Sequence, residues 1–153
     1  MRRKDKEITG RREINAILHE ARVCRVGFCL GREPYIVPMN FGYDGSCLYL
    51  HSASEGKKMD MLRKNKNVCF ETDIRTRVVR SVRPCNWRMR YLSVIGYGRA
   101  SVMTDPAKKK KALECIIRKY PRTGKFSFSK EALKKVSVIK VDISPLTGKR
   151  SGY

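Results

Sequence analysis

Most apolar residues of this chain fall in short strand-like runs separated by turn dipeptides, and few stretches carry helical spacing. Residues 23–30 read as a strand, 31–34 as a turn, and 35–41 as its antiparallel partner, with Pro38 interrupting the second arm. Proline cannot donate to a ladder, so Pro38 marks an edge, a bulge or a strand freed to meet a ligand. The Asp44-Gly45 turn leads into a third strand over Cys47–Ser52, and three consecutive strands predict a meander. Residues 68–74 form a fourth strand. Residues 75–83, dense in arginine, read as a loop or irregular strand, 88–103 as the longest strand, bent at its glycines, and 136–143 as a sixth.

Helical spacing is confined to four places. Ile14, Ile17, Leu18 and Ala21 predict a helix capped by Thr9 and ending near Arg22. Residues 54–65 predict a short one, capped by Ser54 and stopped at Asn65. Asp105-Pro106 opens a third with Leu113, Ile116 and Ile117 on its apolar face, and Ser129 opens a fourth ending at Lys135. Six short strands with peripheral helices predict a mainly β, six-stranded antiparallel barrel.

Length allows one domain over 1–153, with residues 1–8 as a flexible basic arm. The formal net charge of +21 attracts phosphates, nucleic acid or anionic surfaces without choosing among them. The basic residues are spread along the chain rather than gathered on one aromatic-laced element, which favours a solvated basic surface over a nucleic-acid device. The six cysteines include no C-x-x-C pair and no histidine at zinc spacing, so no metal site is expected; most read as buried, reduced thiols. With no apolar run long enough to span a bilayer and no signal-peptide core, a soluble cytoplasmic protein without a membrane partner is expected.

The most informative local constellation is the segment His51, Ser52, Ala53, Ser54, Glu55, Gly56, Lys57 and Lys58, a strand end entering a helix through small residues and two lysines. Hydroxyls, helix N-terminal amides and ammonium groups together suit a phosphate. An ordinary capped helix with surface lysines accounts for the same residues, and the segment alone favours it. Beside it, the backbone of Pro38, Met39, Asn40 and Phe41 has groups that could read the edge of a polar heterocycle; Asn40 as a satisfied strand residue and Phe41 as core are each the simpler assignment.

Taken in order, the runs 34–43, 48–58, 68–71 and 87–100, the last carrying Trp87, Tyr91, Ser93 and the glycines Gly96 and Gly98, resemble the nitroimidazole-resistance branch of the pyridoxamine 5'-phosphate oxidase-like flavoproteins. The similarity spans about Lys6 to Arg150. It implies a split β-barrel homodimer with FMN at the subunit interface. By the resemblance Pro38, Met39, Asn40 and Phe41 line the flavin ring, and Ser52, Lys57 and Lys58 take the phosphate. Trp87, Tyr91 and Ser93 belong to the far wall, contributed by the partner subunit. His51 matches a histidine placed by the flavin, and Lys149 matches a C-terminal Thr-Gly-Lys ending. The arginine density over 75–83 exceeds what one phosphate requires.

The resemblance implies an FMN-dependent oxidoreductase reducing small electron-poor substrates such as nitroaromatics, with His51 as proton donor or substrate-orienting group. A structural His51 hydrogen-bonded to the phosphate loop stays open. The rivals are a flavin-binding or storage protein without a substrate and, less favoured, a basic nucleic-acid-binding module.

Overall fold

The computed structural model describes residues 2–120 and 127–153. Its strands are β1 (Glu7–Ile8), β2 (Cys24–Leu30), β3 (Glu33–Met39), β4 (Phe41–Tyr43), β5 (Cys47–Ser52), β6 (Asn67–Val79), β7 (Arg88–Val102) and β8 (Ser137–Ser151). The helices among the described residues are α1 (Arg11–Glu20), α2 (Lys57–Lys64), α3 (Pro106–Arg118) and α4 (Lys130–Lys135), with short 3₁₀ turns at Lys4–Lys6 and Pro84–Asn86.

All pairings are antiparallel, and the sheet runs β3-β2-β6-β7-β8-β5-β4, with β1 added on β8. The expected meander is absent. β3 and β4 lie at opposite ends of this path although only Asn40 separates them in sequence. The sheet must therefore curl until its two edges meet, giving a split barrel closed by one residue of chain rather than by a ladder. The strand expected over 35–41 is thus two strands, and with β1 this accounts for eight strands instead of six.

β1 also shortens the expected flexible arm, because Ile8 is buried in the core and pairs with Gly148. β6 continues to Val79 through a bulge after Ile74, with Arg75 at φ +55°, so the expected irregular strand covers residues 75–79. β8 runs well past Ile143: Gly96 pairs with Leu146 and Tyr97 with Ser144, so Pro145 is the extra residue of a bulge and owes the ladder no hydrogen bond.

The core fills the inner face of the curl, where Phe41, Leu48, Leu50, Phe70, Val94 and Ile139 meet Ile14, Ile17 and Leu18 of α1. α3 covers the other side of β4 and β5 through Ala112, Leu113 and Ile116, which pack with Val138 and Tyr49. A Cβ on Gly42 would stand 2.7 Å from the Ile116 amide nitrogen, so the absence of a side chain is what lets α3 lie on β4. Asp105 caps α3 by accepting from the Ala107 and Lys108 amides, and Ser129 caps α4. Two expected caps give way to glycines: α1 starts after Gly10 rather than Thr9, and α2 after Gly56 rather than Ser54. Asn65 ends α2 as expected.

Candidate flavin site

Strand residues alternate between faces, so register decides which side chains meet. On the outer face of the sheet, Pro38, Arg25, Glu71, Ile95 and Thr147 form one cross-strand row from β3 to β8. Asp73, Ser93 and Lys149 form the next. A depression of about 320 Å³ opens there, walled by Tyr91, Ser93, Ile95, Lys149, Asp73 and Glu71. Four residues singled out in the sequence, Pro38, Tyr91, Ser93 and Lys149, therefore share one face.

The polar groups of this face are tightly coupled. Arg25 donates to Asp73 at 2.6 Å and to Glu71 at 3.1 Å. Thr76 Oγ1 donates to Asp73 at 2.6 Å, and this bond, ahead of Arg25, holds the Asp73 carboxyl below its ordinary pKa. Glu71 moves the other way, raised by burial and then by the neighbouring Asp73 charge. The Lys149 ammonium lies 5.5 Å from the centre of the Tyr91 ring. Around these groups the same face exposes Ile36, Val78, Met89 and Tyr97, an unusual amount of apolar surface to leave in water.

A second group lies where β5 enters α2. Gly56, at φ +107°, turns the chain into the helix, and no side chain caps the first amides. Lys57 and Lys58 thus combine ammonium groups with a helix start that has room for an anion. Lys57 pairs with Glu33 at 2.5 Å and lies 5.1 Å from the Tyr35 ring centre, both on β3. Ser52 is buried on the core side of β5 and its hydroxyl donates to the Ala53 carbonyl at 2.8 Å. Ser52 pairs with Ser137 at the start of β8, whereas Ser93 pairs with Lys149 near its end. Opposite ends of β8 therefore hold the two groups.

A profile of the family described as pyridoxamine 5'-phosphate oxidase matches residues 10–150. The chain belongs to that family. Its fold matches a crystal structure from Bacteroides thetaiotaomicron, of a protein offered as a candidate 5-nitroimidazole antibiotic resistance protein, with 38% identity, a TM-score of 0.83, and coverage of 94% of this chain and 85% of that one. This places the chain in the nitroimidazole-resistance branch. An FAD and heme binding protein from Mycobacterium smegmatis shares the fold at 18% identity and a TM-score of 0.83, over 97% of this chain and 74% of that one. Among curated sequences, an uncharacterised protein of Rhizobium meliloti is 30% identical over 64 residues, and the match spans 42% of each protein.

In this member of the oxidase family the remaining predicted residues are dispersed. Met39 and Phe41 belong to the core. The Phe41 ring is capped by the Lys119 ammonium, 3.1 Å from its centre, and the Phe41 amide donates to Tyr120 Oη at 3.2 Å. Of the segment 38–41 only Pro38 and Asn40 are exposed. Trp87 closes the β6–β7 loop on itself, its indole N–H donating to the Ser81 carbonyl at 2.9 Å. His51 is exposed on the opposite face of β5 from Ser52. Arg25, Glu71, Asp73 and Thr76 escaped the sequence reading; the signal for the two carboxylates was their alternation with Phe70, Thr72 and Ile74. Among the described residues no cluster of metal-ligating side chains occurs, and no helix is long and apolar enough to cross a membrane.

Proposed function

We propose that the chain binds FMN between two copies of itself and passes electrons from it to small electron-poor acceptors such as nitroaromatics. The observation that carries this reading is the match to the Bacteroides protein, since 38% identity over 94% of the chain extends beyond fold. The flavin named for the Mycobacterium structure supports the same cofactor class.

The residues present fit such a group. Lys57, Lys58 and the uncapped amides of α2 hold a phosphate, with Ser52 at the strand end. Pro38, Tyr91 and Ile95 offer flat apolar contact, and Ser93 and Lys149 offer hydrogen bonds and positive charge to the ring edge. Because the two groups sit at opposite ends of β8, a symmetric dimer is the arrangement that brings one subunit's lysines to the other's wall, with the apolar outer face buried between them. Bound FMN supplies the electron chemistry; the protein orients the ring and excludes water. His51 supplies an imidazole as proton donor or substrate-orienting group.

The test is the absorbance of the purified protein, with a band near about 450 nm from oxidised flavin, followed by NAD(P)H-driven turnover of a nitroimidazole. Colourless protein that takes up no FMN on titration sinks the cofactor. Yellow protein inert toward nitro compounds and quinones leaves a flavin-binding protein without this reaction.

A further inference from the structure

Between Asp73 and Asp105 the chain has seven arginines, no lysine and no carboxylate. Six of the seven, Arg75, Arg77, Arg80, Arg83, Arg88 and Arg90, lie on one structural unit. β2 pairs with β6 only as far as Glu71, and β8 pairs with β7 only from Tyr91 onward. Beyond those points Arg77–Val79 and Arg88–Arg90 pair with each other alone, as a two-stranded ribbon projecting from the sheet. Its base is fixed. Arg75, at φ +55° in the bulge after Ile74, is ion-paired with Glu20 at 2.8 Å, and its carbonyl accepts from Tyr153 Oη at 2.7 Å.

The two faces of the ribbon differ. Val78 pairs with Met89, and these share the outer face with Tyr91 and Ser93. Arg77 pairs directly with Arg90, and Val79 with Arg88, on the opposite face. Like charges set opposite each other across a ladder destabilise it, so this face costs stability unless an anion lies over it. A cleft of about 580 Å³, lined by Arg77, Arg80 and Arg90 with Val78 and Val79, opens along the ribbon. Arg80 lies over the Trp87 ring at 5.5 Å and Arg90 over Tyr153 at 4.2 Å, while the enclosed Arg90 Nε has no hydrogen-bond partner. Among the described residues the guanidinium groups of Arg77, Arg83 and Arg88 have no ion-pair or hydrogen-bond partner.

We infer that this arginine face is a binding arm for the phosphate backbone of duplex DNA, separate from the flavin-facing surface on the other side of the same ribbon. A second copy of the chain is a poor occupant, because among the described residues nine of the fourteen carboxylates are already in ion pairs. Exclusive use of arginine matches phosphate geometry better than lysine does. A two-stranded ribbon is also one of the two shapes that the B-DNA major groove, about 12 Å wide, admits. Contacts through guanidinium and phosphate carry no base code, so the binding is sequence-independent.

The experiment measures anisotropy of a labelled random-sequence DNA duplex against the full chain, as purified, over a salt series. Three proteins are compared: the native one, the triple variant Arg77→Gln/Arg83→Gln/Arg88→Gln, and a control with equal charge removed from α3, Lys108→Gln/Lys110→Gln/Lys111→Gln. The expected result is tight low-salt binding by the native protein. The slope of log affinity against log salt should fall by up to about 2.7 in the ribbon variant, at about 0.9 for each phosphate no longer neutralised, and much less in the α3 control. No duplex binding at low salt overturns the inference. So do equal losses in the two variants, which would mean diffuse charge, and ribbon-dependent binding to phosphatidylserine vesicles without duplex binding. Flavin absorbance and thermal melting on the same samples separate loss of the arm from loss of the fold or of the cofactor.

Discussion

His51 and Ser52 are adjacent in sequence and project from opposite faces of β5, Ser52 with Leu48 and Leu50 toward the core, His51 with Tyr49 toward the α3 side. One strand end thus presents a hydroxyl to one side and an imidazole to the other. Their roles should separate. Ser52→Ala is expected to weaken FMN retention several-fold with turnover per bound flavin little changed. His51→Ala should keep the flavin and lower kcat per bound flavin if the imidazole delivers a proton. Equal loss of flavin in both, measured by absorbance after gel filtration, would tie His51 to the phosphate loop instead.

A flavin site shared between two subunits, as proposed, predicts complementation. Lys57→Ala/Lys58→Ala and Ser93→Val/Lys149→Met should each bind flavin poorly as homodimers. Co-expressed and isolated as a heterodimer, they regenerate one intact site and one doubly damaged one, so about half the native flavin content returns. No recovery would place all four residues at one subunit's own site.

Most strands and two of the four helix starts were legible because local pattern and tertiary demand agree: the Asp44-Gly45 turn, the alternation of β5, and Asp105-Pro106 all sit as read. What failed was non-local. Nothing in residues 35–41 announces that the chain crosses from one sheet edge to the other at Asn40, since both halves keep strand-like composition. Pro145 hid the second half of β8, because a bulge forgives a missing donor that a regular ladder would not. For the site, Lys57 and Lys58 were visible as a charged helix start. The outer-face row through Ser93 and Lys149 depends on register between strands far apart in sequence, which pattern does not encode.

Asp44 organises the β4–β5 turn. Burial pushes its carboxyl pKa up, but the Tyr49 hydroxyl at 2.7 Å and the Cys47 and Ser46 amides at 2.8 and 2.9 Å outweigh that and hold it at about 2. A carboxyl lowered on folding contributes stability above its ordinary value of 3.8, lost as pH falls toward 2. Asp44→Ala should cost roughly 1–3 kcal/mol by denaturant unfolding at pH 7, with the gap to the native protein closing at acid pH.

Gly42→Ala should destabilise by about 1–3 kcal/mol, because the added carbon meets helix backbone rather than a movable side chain. A native-like melting temperature would show that α3 can ride outward freely.

Lys119 donates to the Leu18 carbonyl and covers Phe41, and burial brings its pKa down from 10.5 to about 7. The unfolded chain then binds more protons between pH 7 and 10.5, so this residue makes stability rise with pH across that window and leaves it flat below. Lys119→Met keeps apolar cover without the titration. Its melting temperature should exceed the native value near pH 6.5, with the difference shrinking as pH is raised. Parallel pH profiles would count against a titrating Lys119.

β8 pairs with β7, β5 and β1 and is the last of the eight strands to leave the ribosome. Until it emerges, β5 and β4 have no neighbour through which to join the rest of the sheet, and β1 has none at all. The nascent chain can make the β2–β3 and β6–β7 hairpins early, but it cannot close the curl. A chain stalled before residue 137 therefore presents two open strand edges to the cell rather than a shorter version of the same protein.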